Sequence, residues 1–293
     1  MKKFLISILF VLCTPLLYAQ SNDSLVIDIV LIGGQSNATG QGYIKNIPHS
    51  FKPDTTVLLY FSKYLNKGKQ SEQWVPLRQA SESADRFGVE LSLGTILHQK
   101  YPNRKVALIK HALSGSNLYR QWNPGNRPQE KQGEEYAKFI RTVRSALNDL
   151  RSNHYKPVIR AMVWQQGEAD ARYDAGMKNT LSYGKNLKNF IQQIRKEFST
   201  PDMLFVYGSV MPMKAERFTG RESVREAQKQ VAEESHTDLS EKNAIWIHAD
   251  DLQMLYTDFN TPSPKDDVHL GTFGVLELGK RFANTIYKHY STK

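Results

Sequence analysis

Short, almost wholly apolar runs rich in β-branched residues recur along the chain, separated by longer segments in which apolar residues return every three or four positions. The runs occupy residues 25–32, 105–110, 158–164, 203–207 and 244–248. A strand that is apolar at nearly every position must be covered on both faces, the situation of a parallel sheet between layers of helices. The intervening segments supply those layers. They lie at residues 90–100, at 134–150 with Phe139, Val143, Leu147 and Leu150 on one face, and at 187–198 with Phe190, Ile191, Ile194 and Phe198. A last helix is marked by Val275, Leu278, Phe282 and Ile286. The expectation is an α/β fold in a single doubly wound domain over residues 20–293. Its central sheet has five parallel strands, and its ligand site lies at their carboxyl ends. With 293 residues, 40% of them apolar, the chain can bury one sizeable core. The polar stretches 63–74 and 121–133 read as surface insertions walling a cleft.

The N-terminus has its own pattern. Lys2 and Lys3 precede an apolar stretch over residues 4–12, then Pro15 and Ala19. The run is too short to cross a bilayer and has the shape of a secretory signal over residues 1–19, which predicts an exported protein, periplasmic or secreted, with no membrane span. The only cysteine, Cys13, falls inside this segment. Leu12 before it is too large for a lipoprotein-type processing site, so no lipid anchor is expected. Once the segment is removed no thiol remains, and the chemistry must use oxygen and nitrogen groups. The formal charge of +10 comes from 39 basic against 29 acidic residues without a dense basic run. A solvated basic surface explains it better than a nucleic-acid partner.

Three stretches carry the candidate chemistry. Gly33-Gly34-Gln35-Ser36-Asn37 follows the first strand directly. Glycines there let backbone N–H groups approach a ligand, and a serine in such a turn projects from the sheet edge. The same serine is equally read as the cap of the next helix. The stretch lacks the Gly-Lys-Ser/Thr ending of a phosphate loop, and Ala38 replaces the second glycine of a G-x-S-x-G elbow. Asp266-Asp267-Val268-His269 precedes the last helix, at a spacing that lets the Asp266 carboxylate reach the imidazole and fix its tautomer. A serine hydroxyl is a poor nucleophile near neutrality and needs such a base. Trp164-Gln165-Gln166-Gly167-Glu168-Ala169-Asp170 follows the third long strand. The Ser36 N–H, the Gly115 N–H and the Gln166 side chain are the candidate donors to an oxyanion. Glu168 and Asp170 stand too close on one loop to flank a sugar bond as a glycosidase pair, so Glu168 reads as a support for the other groups. Trp74, Tyr119, Trp122 and Tyr173 are candidates either for stacking on sugar rings or for ordinary packing.

Gly-Gln-Ser-Asn at 34–37, Trp-Gln-Gln-Gly-Glu-Ala-Asp at 164–170 and Asp-x-x-His at 266–269, in that order and spanning nearly the whole chain after the signal, resemble the SGNH-hydrolase superfamily. The closest likeness is to its sialate O-acetylesterase and acetyl-xylan-esterase-like branch, similar to carbohydrate esterase family 6. The resemblance implies a flavodoxin-like three-layer sandwich with Ser36 as nucleophile, His269 as base and Asp266 as its partner. It also implies an oxyanion hole completed by Gly115 and Gln166, no metal or cofactor, and an acetylated carbohydrate as substrate. Gln35, Asn37 and Glu168 become supporting residues. Phe87-Gly88-Val89-Glu90 is similar to a Gly-Pro-Glu segment of the branch with valine in place of proline, which makes Glu90 a further supporting candidate. The function expected is an exported serine esterase that removes acetyl groups from a carbohydrate. A lipase or thioesterase of longer acyl esters and a non-catalytic glycan-binding protein are the alternatives.

Overall fold

The computed structural model describes residues 25–125, 131–172, 176–210 and 216–292. The proposed signal segment, Cys13 and Tyr173 lie outside the described residues, as does part of the 121–133 insertion.

In chain order the elements are β1 (Val26–Gly34), α1 (Ser36–Thr39), β2 (Gly42–Tyr43), β3 (Leu58–Phe61), β4 (Val75–Pro76), β5 (Arg86–Phe87) and α2 (Glu90–Lys100). They continue with β6 (Lys105–Lys110), α3 (Glu134–Ser152), β7 (Lys156–Gln165), α4 (Glu168–Ala171), α5 (Met177–Glu197), β8 (Leu204–Gly208), α6 (Arg221–Val231), β9 (Ala244–Ile247) and α7 (Thr272–Ser291). The central sheet has seven strands in the order β4-β3-β6-β1-β7-β8-β9, and β2 and β5 form a separate antiparallel pair.

All five strands expected from the sequence are present, but the sheet is wider than expected. β3 pairs in parallel with β6, and β4 pairs antiparallel to β3 at the edge. Six strands are therefore parallel and one is not. The two additions are four and two residues long, too short for a periodic pattern to mark them. The helix expected at 187–198 begins ten residues earlier, at Met177. α6 had no sequence signal, because it buries only Val224, Arg225, Gln228 and Val231 and is otherwise polar.

Helices cover both faces of the sheet. On one side Ile29, Leu31, Met162, Trp164 and Phe205 pack with Phe139, Val143, Phe190 and Ile194 of α3 and α5. On the other, Val30, Ile32, Leu108 and Val163 pack with Leu93 and Leu97 of α2 and with Val275, Leu278 and Phe282 of α7. β1 lies at the centre, in parallel register with β6 and with β7. The chain builds outward from β1 first in one direction and then in the other, and ligand crevices form at the carboxyl edge where that direction changes. The segments after β1, β6 and β7 meet at that edge.

A buried ion pair lies beneath it. Lys110, the last residue of β6, is fully buried and donates to Glu90 Oε2 at 2.5 Å and to the Thr39 carbonyl at 2.9 Å. Glu90 Oε1 accepts from the N–H groups of Gly88 and Ala80. Glu90 thus supports the turn after Ser36 from below, through Lys110. Burial lowers the Lys110 pKa while the Glu90 charge and hydrogen bond oppose that shift. Replacing one partner of such a pair strands the other charge in the interior. Lys110→Met is expected to destabilise the fold by about 3–5 kcal/mol, and adding Glu90→Gln to it should recover much of the loss, both read by denaturant melts.

Candidate active site

β1 ends on Gly34, whose φ is +136° and whose Cβ position lies 2.1 Å from the Gln165 carbonyl oxygen. Only glycine permits this approach of the strand end to β7. Gln35 N–H then donates to the same carbonyl at 3.0 Å, and the chain turns into α1. Ser36 is the first residue of α1, with Gln35 at the cap position and no side-chain cap bond. The helix-capping reading of this serine is therefore excluded. Ser36 is 4% exposed and lines an open cavity of about 470 Å³ with Gly115, Glu168 and His269. Among the described residues its N–H has no partner.

His269 reaches the same cavity from the segment before α7. Its Nδ1 lies 2.8 Å from Asp266 Oδ2, while Asp266 Oδ1 accepts from the N–H groups of Val268 and His269. The imidazole donates from Nδ1, which leaves Nε2 as the acceptor nitrogen. Burial pushes the Asp266 carboxyl up, but the hydrogen bond and charge of His269 and the two backbone donors outweigh it and hold it down at about 2.

Asn37 joins the two segments. Its Nδ2 donates to Glu168 Oε1 at 3.0 Å and to the Val268 carbonyl at 3.2 Å, and its Oδ1 accepts from the Leu270 N–H at 2.9 Å. Both chain neighbours of His269 are thereby fixed to the residue after Ser36. Gln35 makes the matching connection to the β7 segment, its Oε1 accepting from the Ala169 N–H at 3.0 Å.

Gln166 lies elsewhere than expected. It is fully buried, absent from the cavity wall, and its amide N–H groups are shared among Asp170 Oδ2 at 2.6 Å, the Ser116 carbonyl at 3.2 Å and Gln35 Oε1 at 3.3 Å. Tyr183 donates to its Oε1. Asp170 accepts in addition from the N–H groups of Leu118 and Tyr119. Burial raises the Asp170 carboxyl to about 6, against the pull of these bonds and with a small contribution from the Glu168 charge. Gln166 and Asp170 together tie the loop after β6 to the end of β7 from behind the cavity.

That loop carries Gly115 at φ +72°, with open space where a Cβ would be. The residue before it is held by a carboxylate that no sequence pattern marked: Ser114 N–H donates to Glu82 Oε1 at 2.8 Å and Ser114 Oγ to Glu82 Oε2 at 2.6 Å. Arg86, Arg172 and Arg217 also line the cavity. They too lay outside the sequence reading, since single arginines in polar loops carry no spacing signal. Of the aromatic candidates for sugar contact, Trp122 is fully buried against Trp164, with its Nε1 donating to Ser116 Oγ. Trp74 packs on Tyr60. Trp122 belongs to the interior, Trp74 is half-buried against it, and neither lines the cavity. A larger groove of about 710 Å³ opens at the opposite edge of the sheet, where Asp28 pairs with Arg104 and Arg160. It holds none of the candidate groups.

Residues 26–288 match the family model of the carbohydrate esterases described as sialic acid-specific acetylesterase. None of the curated proteins compared with the chain matches it. Among solved structures, a protein of Arabidopsis thaliana shares 18% identity at a TM-score of 0.66, over 89% of this chain and 98% of that one. NanS shares 14% identity at 0.63, over 92% and 99%. A carbohydrate acetylesterase from Xanthomonas citri shares 16% identity at 0.58, over 89% of this chain and 56% of that longer one. These likenesses carry the fold.

The lowered Asp266 pKa has a defined consequence for stability. A carboxyl whose folded pKa lies below its ordinary value of 3.8 contributes stability above that pH, and the contribution is lost as pH falls toward about 2. The stability gap between the parent and Asp266→Asn should therefore narrow over that window in urea melts at stepped pH. Asn37→Ala should cost about 1–3 kcal/mol for each buried group it leaves unpaired, measured by the same melts near neutral pH.

Proposed function

The chain belongs to the sialic acid-specific acetylesterase family of carbohydrate esterases, and we propose that it is an exported serine esterase that removes acetyl groups from sugar hydroxyls through an acetyl-enzyme. One observation carries the reading: Ser36, Gly115 and His269 share one cavity, with His269 Nδ1 already bound to Asp266.

In the proposed reaction Ser36 Oγ attacks the acetyl carbonyl carbon while His269 Nε2 takes its proton. Asp266 holds the imidazole in the required tautomer and stabilises the imidazolium. The developing oxyanion rests on the N–H groups of Ser36 and Gly115, and each such donor is worth about 10²–10³ in turnover. The intermediate collapses as the C–O bond to the sugar breaks and His269 returns the proton to the leaving oxygen. Water then attacks the acetyl-enzyme as His269 takes a proton from it, and the acyl C–Oγ bond breaks as His269 passes that proton to Ser36 Oγ, releasing acetic acid, which ionises to acetate. Gln166 acts from behind as a positioning residue, holding Gln35 and the loop of Gly115.

The cavity wall favours a sugar ester over a long acyl chain. Gln35, Gln41, Glu82, Ser83 and Ser114 contribute polar groups, whereas a fatty acyl chain needs a continuous apolar slot. Arg86, Arg172 and Arg217 favour an acidic sugar such as a sialic acid over a neutral one. Export rests on the N-terminal sequence; no helix among the described residues is long and apolar enough to cross a membrane.

Ser36→Ala is expected to keep the parent's melting profile and to lower acetate release from aryl acetates by at least about 10³-fold. Full activity in that variant overturns the assignment of the nucleophile. Octanoyl esters should be turned over far more slowly than acetyl esters, and the reverse order would favour a lipase.

A further inference from the structure

Among the described residues, half of the large apolar side chains left exposed lie on the two segments that pack around the His269 loop. Tyr256, Phe259 and Phe273 are 47%, 70% and 49% exposed. Exposed aromatic rings are ordinary when scattered, but a group held together on a rigid surface marks a binding site. We propose that Tyr256, Phe259 and Phe273 form a stacking platform for sugar rings beyond the acetylated one, so that the substrate is an oligosaccharide or polysaccharide and not a single sugar. The inference rests on the esterase reading above and extends it.

The backbone under these rings is firmly anchored. The buried Asp258 carboxylate accepts from Phe259 N–H at 2.9 Å and from Thr272 N–H and Oγ1 at 2.9 and 2.7 Å. That one side chain therefore fixes Phe259 beside the residue preceding Phe273. Gln253 Oε1 accepts from Phe273 N–H at 2.9 Å. Asn46 Nδ2 and Lys45 Nζ donate to the carbonyls of Phe259 and Asn260 from the segment that follows β2. A loop held by this many bonds presents its rings in a fixed arrangement at a standing hydrophobic cost, and a ligand that covers them recovers part of that cost.

The three rings do not line the cavity themselves, but the segments that carry them are bonded to the His269 loop. Leu255 N–H donates to the His269 carbonyl at 2.7 Å, Tyr256 N–H donates to the Asp266 carbonyl at 3.1 Å, and Met254 bridges Leu270. Phe273 follows His269 by four residues, which limits their separation to about 14 Å even for extended chain. One glycan can therefore place an acetyl group in the cavity and neighbouring rings on the platform. Sugar rings have an apolar C–H face that suits aromatic carbons, and the neighbouring Lys45 and Asn46 suit a polar ligand better than a lipid surface.

The test measures kcat/KM for acetate release along chain-length series of acetylated xylo-oligosaccharides and O-acetylated oligosialic acid, beside 4-nitrophenyl acetate. The parent is expected to gain about tenfold from monomer to hexamer in at least one series. The Phe259→Ala/Phe273→Ala variant should lose that gain through KM, and the Phe259→Tyr/Phe273→Tyr variant should keep it. No gain with length in either series, or a gain that survives loss of both rings, overturns the platform. So does a finding that the alanine variant instead loses self-association or vesicle binding. Failure of the esterase reading is seen separately, as 4-nitrophenyl acetate activity that persists in Ser36→Ala.

Discussion

The Asn37 carboxamide donates to Glu168 and to the Val268 carbonyl and accepts from the Leu270 N–H, so residues 131 and 231 positions away along the chain meet on one buried side chain. Its place is set by β1, the central strand, which delivers the turn after Gly34 to the sheet edge where the segment after β7 also emerges. The loop before α7 has no strand of its own to deliver it there. It is located by this amide and by the backbone N–H groups of Leu255 and Tyr256, which donate to the His269 and Asp266 carbonyls, while the Asp266 bonds to Val268 and His269 fix its internal shape. If the amide is lost, the imidazole keeps its carboxylate but its neighbours lose their direct tie to the residue after Ser36. A displacement of about 1 Å in such an arrangement is enough to cost two orders of magnitude in rate.

Two hydrogen-bonded sets of polar side chains lie below the cavity. Lys110 and Glu90 satisfy each other and three backbone groups, and Gln166, Asp170 and Tyr183 form a second closed set. Networks of this kind are costly when incomplete and rigid when complete. They hold in place the two loops that bring Ser36 and Gly115 to the cavity wall. If the Ser36 and Gly115 N–H groups act as the proposed oxyanion donors, a rigid base beneath them stabilises developing charge without reorganisation at the moment of reaction. On the proposed reading the interior charges act through the geometry they impose and not through contact with substrate.

The sequence made the layers and the long strands legible because burial on both faces leaves a nearly unbroken apolar run, which β6 and β8 show and which Arg160 alone interrupts in β7. It did not reveal β3 and β4, whose few residues gain their sheet identity from pairing, nor α6, whose exposed face hides its short apolar stripe. The three motifs were readable as strand-end segments, and Ser36 and His269 do share a cavity. The capping reading of Ser36 was open in the sequence and is closed by the backbone, which puts Gln35 at the cap. Gln166 shows where the reading stops. Its residue type suits an oxyanion donor, but only coordinates show three acceptors already competing for its two hydrogens. Glu82 and the aromatic group around Phe259 gave no signal, because their significance lies in contacts between segments distant in sequence.

The central claim is that a hydroxyl and an imidazole from opposite ends of the chain act as one unit. A double-mutant cycle on aryl acetate hydrolysis tests it directly, comparing Ser36→Ala, His269→Ala and the combined variant under conditions where all three are folded. The account predicts that the combined variant is about as slow as either single one, since removing either half already removes the whole. Losses that multiply, with each residue contributing independently of the other, would contradict it.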